Sequence, residues 1–153
     1  MKQLIILTFL IVTLNIHAQE VEVIRFDDLQ KKMLNTEAPL TVFNFWATWC
    51  GPCIKELPHF EEIGDQGVKV YLVSVDFVSD LKKVQTFTKK RKLRSDVLFL
   101  DEKDPDSYMR KISDDWSGAI PATLFVTGSG KTFFHEKAFT REELQETVKK
   151  YMN

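Results

Sequence analysis

A chain of 153 residues, 44% of them hydrophobic, is long enough to bury one core and too short for two ordinary domains. Its 21 basic and 22 acidic side chains give a formal net charge of −1. This balance provides no electrostatic attraction to nucleic acid or to a membrane surface, so a protein is the expected kind of partner.

The N-terminal residues have the order of a secretory signal peptide. Lys2 precedes an apolar run from Leu4 to Leu14, and a short polar stretch follows. The run is shorter than the roughly 20 residues that span a bilayer, so cleavage is expected rather than an uncleaved membrane anchor. Cleavage after Ala18 or Gln19 would make residues 1–19 a signal peptide of an exported protein that is not stably inserted in the membrane.

The remainder, 20–153, is predicted to form a single domain in which strands and helices alternate. A short helical pattern over residues 26–33 comes first and ends before Pro39. Strands are then predicted at about 41–46, 68–75 and 97–100, and helices at 50–63, 79–91 and 104–112. Ser79 and Asp104 are the predicted N-caps of the second and third of these helices. Continuously apolar strands joined by helices indicate parallel pairing with both sheet faces buried.

A hairpin and a helix are predicted to follow. Ala122–Thr127 and Lys131–His135 flank Gly128-Ser129-Gly130, which is typical of a β-hairpin. Thr140 and Glu143 have the spacing of a capping box before a C-terminal helix. Strands joined by helices and followed by a hairpin predict an α/β fold, with a mixed central sheet and helices on both faces.

Both cysteines of the chain lie in one motif, Trp49-Cys50-Gly51-Pro52-Cys53, between a predicted strand and a predicted helix. A cysteine pair at this spacing on a strand-to-helix turn is typical of a redox-active dithiol. Unpaired N–H groups and the helix dipole lower the pKa of a thiol at a helix N-terminus. Cys50 is therefore the predicted nucleophile, and Cys53 is the thiol predicted to resolve the mixed disulfide. Trp49, Gly51 and Pro52 are expected to contact the substrate.

Glu56 is a candidate proton acceptor. At about 100° per residue it shares one side of the helix with Cys53 and Phe60, on an apolar stripe. Partial burial would raise the pKa of its carboxyl toward neutrality and allow it to take the proton of Cys53. The alternative is a glutamate at the edge of the stripe that reaches solvent and pairs with a lysine. Asn44, on the preceding strand, is expected to be a satisfied core amide.

The segment Phe45–Cys53, with Pro58 five residues later, resembles the thioredoxin superfamily, and Ile120-Pro121-Ala122-Thr123 resembles its cis-proline loop. The predicted signal peptide and the helix and strand at about 79–100 are similar to exported TlpA/ResA-like thiol-disulfide oxidoreductases. This resemblance implies a thioredoxin fold with a TlpA-like helix-strand insertion. It also implies a periplasmic or envelope disulfide reductase that needs no cofactor and is kept reduced by a membrane thiol donor.

The resemblance also assigns roles to residues away from the cysteines. Ile120 and Pro121 would present backbone polar groups to a substrate strand. Asn44 stands where thioredoxins have a buried acid, whereas ResA-like proteins have a glutamate at the position of Glu56. Both comparisons favour Glu56 as the proton acceptor. Trp116, just before the proline loop, is expected either to line the substrate groove or to fill the sheet edge.

Other uses of a C-x-x-C motif fit this sequence poorly. A zinc site needs about four ligands, and there is no second cysteine pair. Haem attachment needs a histidine where Ile54 stands. A peroxiredoxin-like peroxidase would have a threonine where Ala47 stands. Two alternatives stay open: a disulfide oxidase or isomerase, and a binding module that holds a client such as an apocytochrome or a copper protein.

Overall fold

The computed structural model describes residues 20–152. The predicted signal peptide, 1–19, lies outside the described residues. The strands are β1 (Glu22–Ile24), β2 (Leu40–Trp46), β3 (Lys69–Ser74), β4 (Asp96–Leu100), β5 (Ala122–Thr127) and β6 (Thr132–His135). The helices are α1 (Phe26–Leu34), α2 (Gly51–Asp65), α3 (Leu81–Arg91), α4 (Met109–Ile112) and α5 (Arg141–Met152). None of the described helices has the length and apolarity needed to cross a membrane.

The six strands form one mixed sheet in the order β1-β4-β3-β2-β5-β6. The pairs β1–β4, β4–β3 and β3–β2 are parallel, whereas β2–β5 and β5–β6 are antiparallel. Parallel neighbours require a crossover connection, and α2 and α3 supply the two crossovers that join β2, β3 and β4. The predicted mixed sheet is confirmed, including the change to antiparallel pairing at the hairpin.

Two hydrophobic clusters cover the two faces of the sheet. Successive residues of β2 point to opposite faces, and every residue of this central strand is buried. Val42 and Trp46 belong to the cluster that includes residues of α2, α3 and α5. Phe43 and Phe45 belong to the cluster that includes residues of α1. Helices on both faces are therefore confirmed, and Asn44 lies on the same face of β2 as Val42, beneath α2.

Three local predictions were incomplete or wrong. The strand β1 was not predicted, because three residues are too few to show a period-two pattern. Ser79 does not cap α3: it lies within a 3-10 turn, Val78–Asp80, and its hydroxyl contacts the Asp80 carboxylate. The helix predicted to end at 112 is divided into a 3-10 turn, Pro105–Ser107, and the short helix α4.

The predicted N-cap at Asp104 is confirmed, although the helix after it is interrupted. The Asp104 carboxylate accepts a hydrogen bond from the backbone N–H of Asp106. Tyr108 then leaves helical geometry with φ −125°, while its side chain is buried in the same cluster as Trp116. Packing of this ring, which local sequence pattern does not reveal, accompanies the break.

The capping box of α5 is confirmed. The backbone N–H of Glu143 donates to Thr140 Oγ1 at 3.2 Å, and the N–H of Thr140 donates to Glu143 Oε2 at 3.0 Å. Phe139 and Leu144, on either side of this cap, are both buried. The start of α5 is thereby fixed against the sheet, and the backbone of Phe139 is held close to α2.

Candidate active site

The cysteine motif lies where the central strand β2 gives way to α2. Cys50 is the N-cap residue of α2, with extended backbone angles of φ −87° and ψ 101°, and Pro52 lies in the first turn. Proline suits this position because the first helical N–H groups have no partner within the helix. The predicted strand-to-helix turn is confirmed, and Cys50 and Cys53 are joined by a disulfide.

The two sulfur atoms differ in their surroundings. Cys53 is fully buried, whereas Cys50 is 6% exposed. The backbone N–H of Cys53 points at Cys50 Sγ, with a nitrogen-to-sulfur distance of 3.3 Å. An N–H donor at a helix N-terminus stabilises negative charge on an atom at that place. Of the two sulfurs, Cys50 is therefore better placed both to carry charge and to meet a substrate.

The proline loop faces the disulfide. The Ile120–Pro121 peptide bond is cis, as the resemblance implied. The carbonyl oxygen of Ile120 lies 3.8 Å from Cys50 Sγ. This approach of the Ile120 oxygen to Cys50 Sγ is a contact and not a hydrogen bond, because a disulfide sulfur carries no hydrogen. Ile120 is partly exposed and Pro121 is buried, so Ile120 is the residue of this pair that an incoming chain can reach.

Glu56 lies deep beneath the dithiol. It is 1% exposed, and three residues after Cys53 it occupies the next turn on the same side of α2. Its Oε1 accepts from Asn44 Nδ2 at 2.8 Å, and its Oε2 accepts from the backbone N–H of Phe139 at 2.7 Å. Burial raises the pKa of this carboxyl to about 7, although both hydrogen bonds act in the opposite direction.

The alternative in which Glu56 reaches solvent is wrong. No ion pair joins it to a lysine or arginine within residues 20–152. The predicted position on the buried side of the helix is confirmed, and burial is more complete than the sequence suggested. A carboxyl with this pKa exchanges its proton readily near neutral pH.

Asn44 holds Glu56 from the strand side. Besides its bond to Glu56, its Nδ2 donates to Thr123 Oγ1 at 3.2 Å. Its Oδ1 is buried and has no protein partner, so the prediction of a satisfied amide holds for the donor end only. Thr123 was not predicted as part of this site. It lies directly opposite Asn44 in the register of β2 and β5, which sequence pattern alone does not set.

An apolar groove opens beside the disulfide, with a cavity volume of about 460 Å³. Its lining includes Trp49, Phe77, Tyr108, Met109, Trp116 and Ile120. Trp49 and Phe77 are 55% and 72% exposed, which is unusual for such large apolar side chains. Phe77, Tyr108 and Met109 were not predicted, because they come from separate connecting segments that only the fold brings together.

Trp116 satisfies both predicted alternatives. It lines the groove, and its ring also packs on Phe134 of the edge strand β6, with ring centroids 5.6 Å apart. Its indole Nε1 donates to the carbonyl oxygen of Ala119 at 2.9 Å. The indole thus forms part of the groove wall and braces the segment that leads to the proline loop. No group of three or more potential metal ligands occurs in the described part of the chain.

Comparison with known proteins places this geometry in a family. The sequence profile described as the AhpC/TSA family matches residues 13–132. The thiol-disulfide oxidoreductase ResA of Bacillus thuringiensis is 30% identical over 112 residues, which cover 70% of this chain and 60% of ResA. ResA of Oceanobacillus iheyensis is 33% identical over 115 residues, covering 69% of this chain and 53% of that protein. The chain thus matches little more than half the length of these relatives.

Solved structures share the fold. StoA from Bacillus subtilis superposes with a TM-score of 0.55 at 26% identity, over 74% of this chain and 84% of StoA. A thioredoxin-related protein from Neisseria meningitidis serogroup B gives a TM-score of 0.65 at 22% identity, over 76% of this chain and 87% of that protein. The fold is therefore the thioredoxin fold, and the predicted fold class is confirmed.

The raised pKa of Glu56 predicts a pH dependence of stability. In the unfolded chain this carboxyl ionises near 4.5, whereas in the folded protein it keeps its proton to about pH 7. The folded state binds more protons between these values, so this group makes the free energy of unfolding fall as pH rises from about 4.5 to about 7. Outside that window, the contribution of Glu56 to the free energy of unfolding does not change with pH. The fall attributable to Glu56 is on the order of 3 kcal/mol.

Glu56→Gln should remove this part of the pH dependence. The amide of Asn44 can turn its unpartnered Oδ1 toward a glutamine, so the substitution can be accommodated. Urea unfolding of the oxidised protein at pH 5 and pH 7.5 measures the difference. Glu146→Gln, on the exposed side of α5, is the matched control and should retain the wild-type dependence. Identical pH dependence in Glu56→Gln and the wild type would contradict the assignment.

Proposed function

The chain belongs to the AhpC/TSA family and has the thioredoxin fold, and from this we propose that it is an exported thiol-disulfide oxidoreductase. Its substrates are disulfide-bearing proteins of the cell envelope, which it reduces through Cys50 and Cys53. One observation carries the proposal: Cys50 Sγ lies at the N-terminus of α2, between the Cys53 N–H and the Ile120 carbonyl. The names of the curated relatives support the same chemistry.

The reaction begins with attack on the substrate. The Cys50 thiolate forms a bond to one sulfur of a substrate disulfide, the substrate S–S bond breaks, and the departing sulfur leaves as a thiolate that takes a proton from solvent. Cys53 then loses its proton and attacks Cys50 Sγ. The Cys50–Cys53 disulfide forms and the second substrate sulfur leaves. Two electrons have passed from the dithiol to the substrate.

Glu56 is the proton acceptor in the second step, in which Cys53 loses its proton and attacks Cys50 Sγ. Cys53 is fully buried, so its proton cannot leave directly to bulk solvent. Glu56 lies one turn further along α2, and its pKa of about 7 matches a base that works near neutral pH. Asn44 and the Phe139 N–H hold the carboxyl in place on either side. Proton transfer occurs directly or through one water molecule.

The reducing direction is proposed on the motif and the resemblance. Gly51-Pro52 is the dipeptide that thioredoxin has between its cysteines, and thioredoxin is strongly reducing, at about −270 mV. A membrane thiol donor would return the disulfide to the dithiol after each cycle. Export rests on the predicted signal peptide.

The reverse direction, oxidation or isomerisation of client disulfides, uses the same residues. It differs in reduction potential, since DsbA lies near −120 mV. A binding module is the alternative of a different class. The apolar groove favours that possibility, because exposed Trp49 and Phe77 on its rim could hold a client without turnover. A peroxidase is disfavoured by Ala47, which stands where a peroxiredoxin-like site would have a threonine.

Cys53→Ser should accumulate a mixed disulfide with an oxidised protein substrate, because attack by Cys50 proceeds and resolution does not. Cys50→Ser should accumulate none. Oxidised insulin is a suitable probe, with adducts read on non-reducing gels and located by mass spectrometry. Trapping by Cys50→Ser alone would reverse the two roles. Client maturation that survives Cys50→Ser in cells would favour the binding module.

Phe77→Ser should lower kcat/KM for a protein disulfide about five-fold, because an exposed aromatic residue on the groove rim contributes on the order of 1 kcal/mol to client binding. The rate with oxidised glutathione should be unchanged, since so small a disulfide reaches Cys50 without occupying the groove. Leu34→Ser, at the end of α1 and 77% exposed, is the matched control. Equal loss with both disulfides would show that the groove does not select proteins.

A further inference from the structure

Asp76 is a buried acid that the proposed reaction does not use. It is 3% exposed and lies two residues beyond the end of β3. Its carboxylate accepts the backbone N–H of Thr48 at 2.9 and 3.2 Å, the hydroxyl of Thr48, and the hydroxyl of Ser74 at 2.9 Å. Within residues 20–152 it forms no ion pair. These contacts place the carboxylate next to the cysteine loop, where it also lines the apolar groove together with Lys103.

The carboxylate fixes the middle of the loop that precedes Cys50. At the start of this loop, the N–H of Val75 donates to the carbonyl oxygen of Trp46 at 2.9 Å. At its end, the N–H of Cys50 donates to the carbonyl oxygen of Ala47 at 3.1 Å. Thr48 is two residues from Cys50, so the chain itself limits the distance between the carboxylate and Cys50 Sγ to the order of 10 Å.

We propose that Asp76 is a positioning residue that makes the dithiol a stronger reductant. Where Cys50 is ionised, this negative charge disfavours its thiolate, and destabilising the reduced form of the pair favours the disulfide. Electrons are then given up more readily to a substrate. The opposite arrangement is known in DsbA, which is a strong oxidant because its reduced form is stabilised. This inference rests on the proposed function and adds a control of its reduction potential.

Other charged groups also lie near Cys50. The N–H groups of α2 favour the thiolate, and Asp76 opposes them. Glu56, on α2, is buried with its pKa raised to about 7, and it adds a further negative charge once it ionises. Glu102 and Lys103 line the groove, and Glu102 is paired with Arg25 at 3.0 Å. At about 10 Å and an effective dielectric constant of about 20 to 40, a unit charge changes an ionisation constant roughly four- to fifteen-fold.

Asp76→Asn removes the charge while keeping the shape. The asparagine oxygen can accept the Thr48 N–H and the Ser74 hydroxyl, and its amide nitrogen, in the place of the other carboxylate oxygen, can donate to the hydroxyl oxygen of Thr48. Ser74→Ala and Thr48→Val are the matched controls. Each removes one hydroxyl donor and leaves the charge in place, so they report the effect of loosening the loop.

The experiment measures the reactivity of Cys50 in the reduced protein. Iodoacetamide alkylation is followed from pH 4 to pH 10, with the modified cysteine identified by mass spectrometry. Below the thiol pKa, Asp76→Asn should raise the alkylation rate about four- to fifteen-fold. At a pH above the thiol pKa, where the reduced protein carries the Cys50 thiolate, the equilibrium with glutathione should shift toward the dithiol by a similar factor. Ser74→Ala and Thr48→Val should stay within about two-fold of wild type.

Two results would overturn the inference: a pH profile of Asp76→Asn that superimposes on wild type, or an equal shift in both hydroxyl variants. If Asp76→Asn does not fold, carbon-13 NMR of the wild-type aspartate carboxyls replaces it. The Asp76 signal should then inflect at the pH at which Cys50 ionises and lose this inflection in Cys50→Ser. No inflection would contradict the proposal. Failure of Cys50 to be the alkylated thiol would instead contradict the proposed function.

Discussion

Burial of one carboxyl beneath a disulfide is the constraint on which the site depends. Glu56 joins three parts of the chain, since its own helix α2 presents it to Asn44 on β2 and to the N–H of Phe139 before α5. A carboxylate without partners would cost several kcal/mol in such a cluster, and these two donors reduce that cost without removing it. The remaining penalty is what raises its pKa to about 7.

The surroundings of Cys50 combine opposing electrostatic effects. The N-terminus of α2 stabilises the thiolate that must attack a substrate, while Asp76 holds the preceding loop with a buried negative charge. The activation of the Cys50 thiol and the reducing power of the Cys50–Cys53 pair are therefore set by different elements, α2 and the end of β3. The apolar groove lies beside both, so under the proposed function a client chain that reaches Cys50 would pass Trp49 and the partly exposed Ile120.

Features with a local signature could be predicted from the sequence. The helical phase of Glu56 follows from its three-residue separation from Cys53, and the capping box of α5 from Thr140 and Glu143. The glycines at 128 and 130 marked the hairpin. In each case the residues that determine the structure lie within one or two turns of each other, so the pattern is visible without the fold.

Features that depend on distant contacts were missed. The Phe139 N–H reaches Glu56 across 83 residues, and the pairing of Asn44 with Thr123 requires the register of β2 and β5. Asp76 was not predicted as part of the site, because its partner Thr48 belongs to another connection. Packing of Tyr108 likewise accompanied a break in a helix that its local sequence favoured. In all of these the tertiary structure selects among locally acceptable conformations.

The reduction potential of the Cys50–Cys53 pair distinguishes a reductase from an oxidase. It is measured by equilibrating the purified domain in glutathione or dithiothreitol redox buffers. A reductase should have a value near that of thioredoxin, about −270 mV and well below that of DsbA. A value near −120 mV would contradict a reductase and make an oxidase or isomerase the better description of this site.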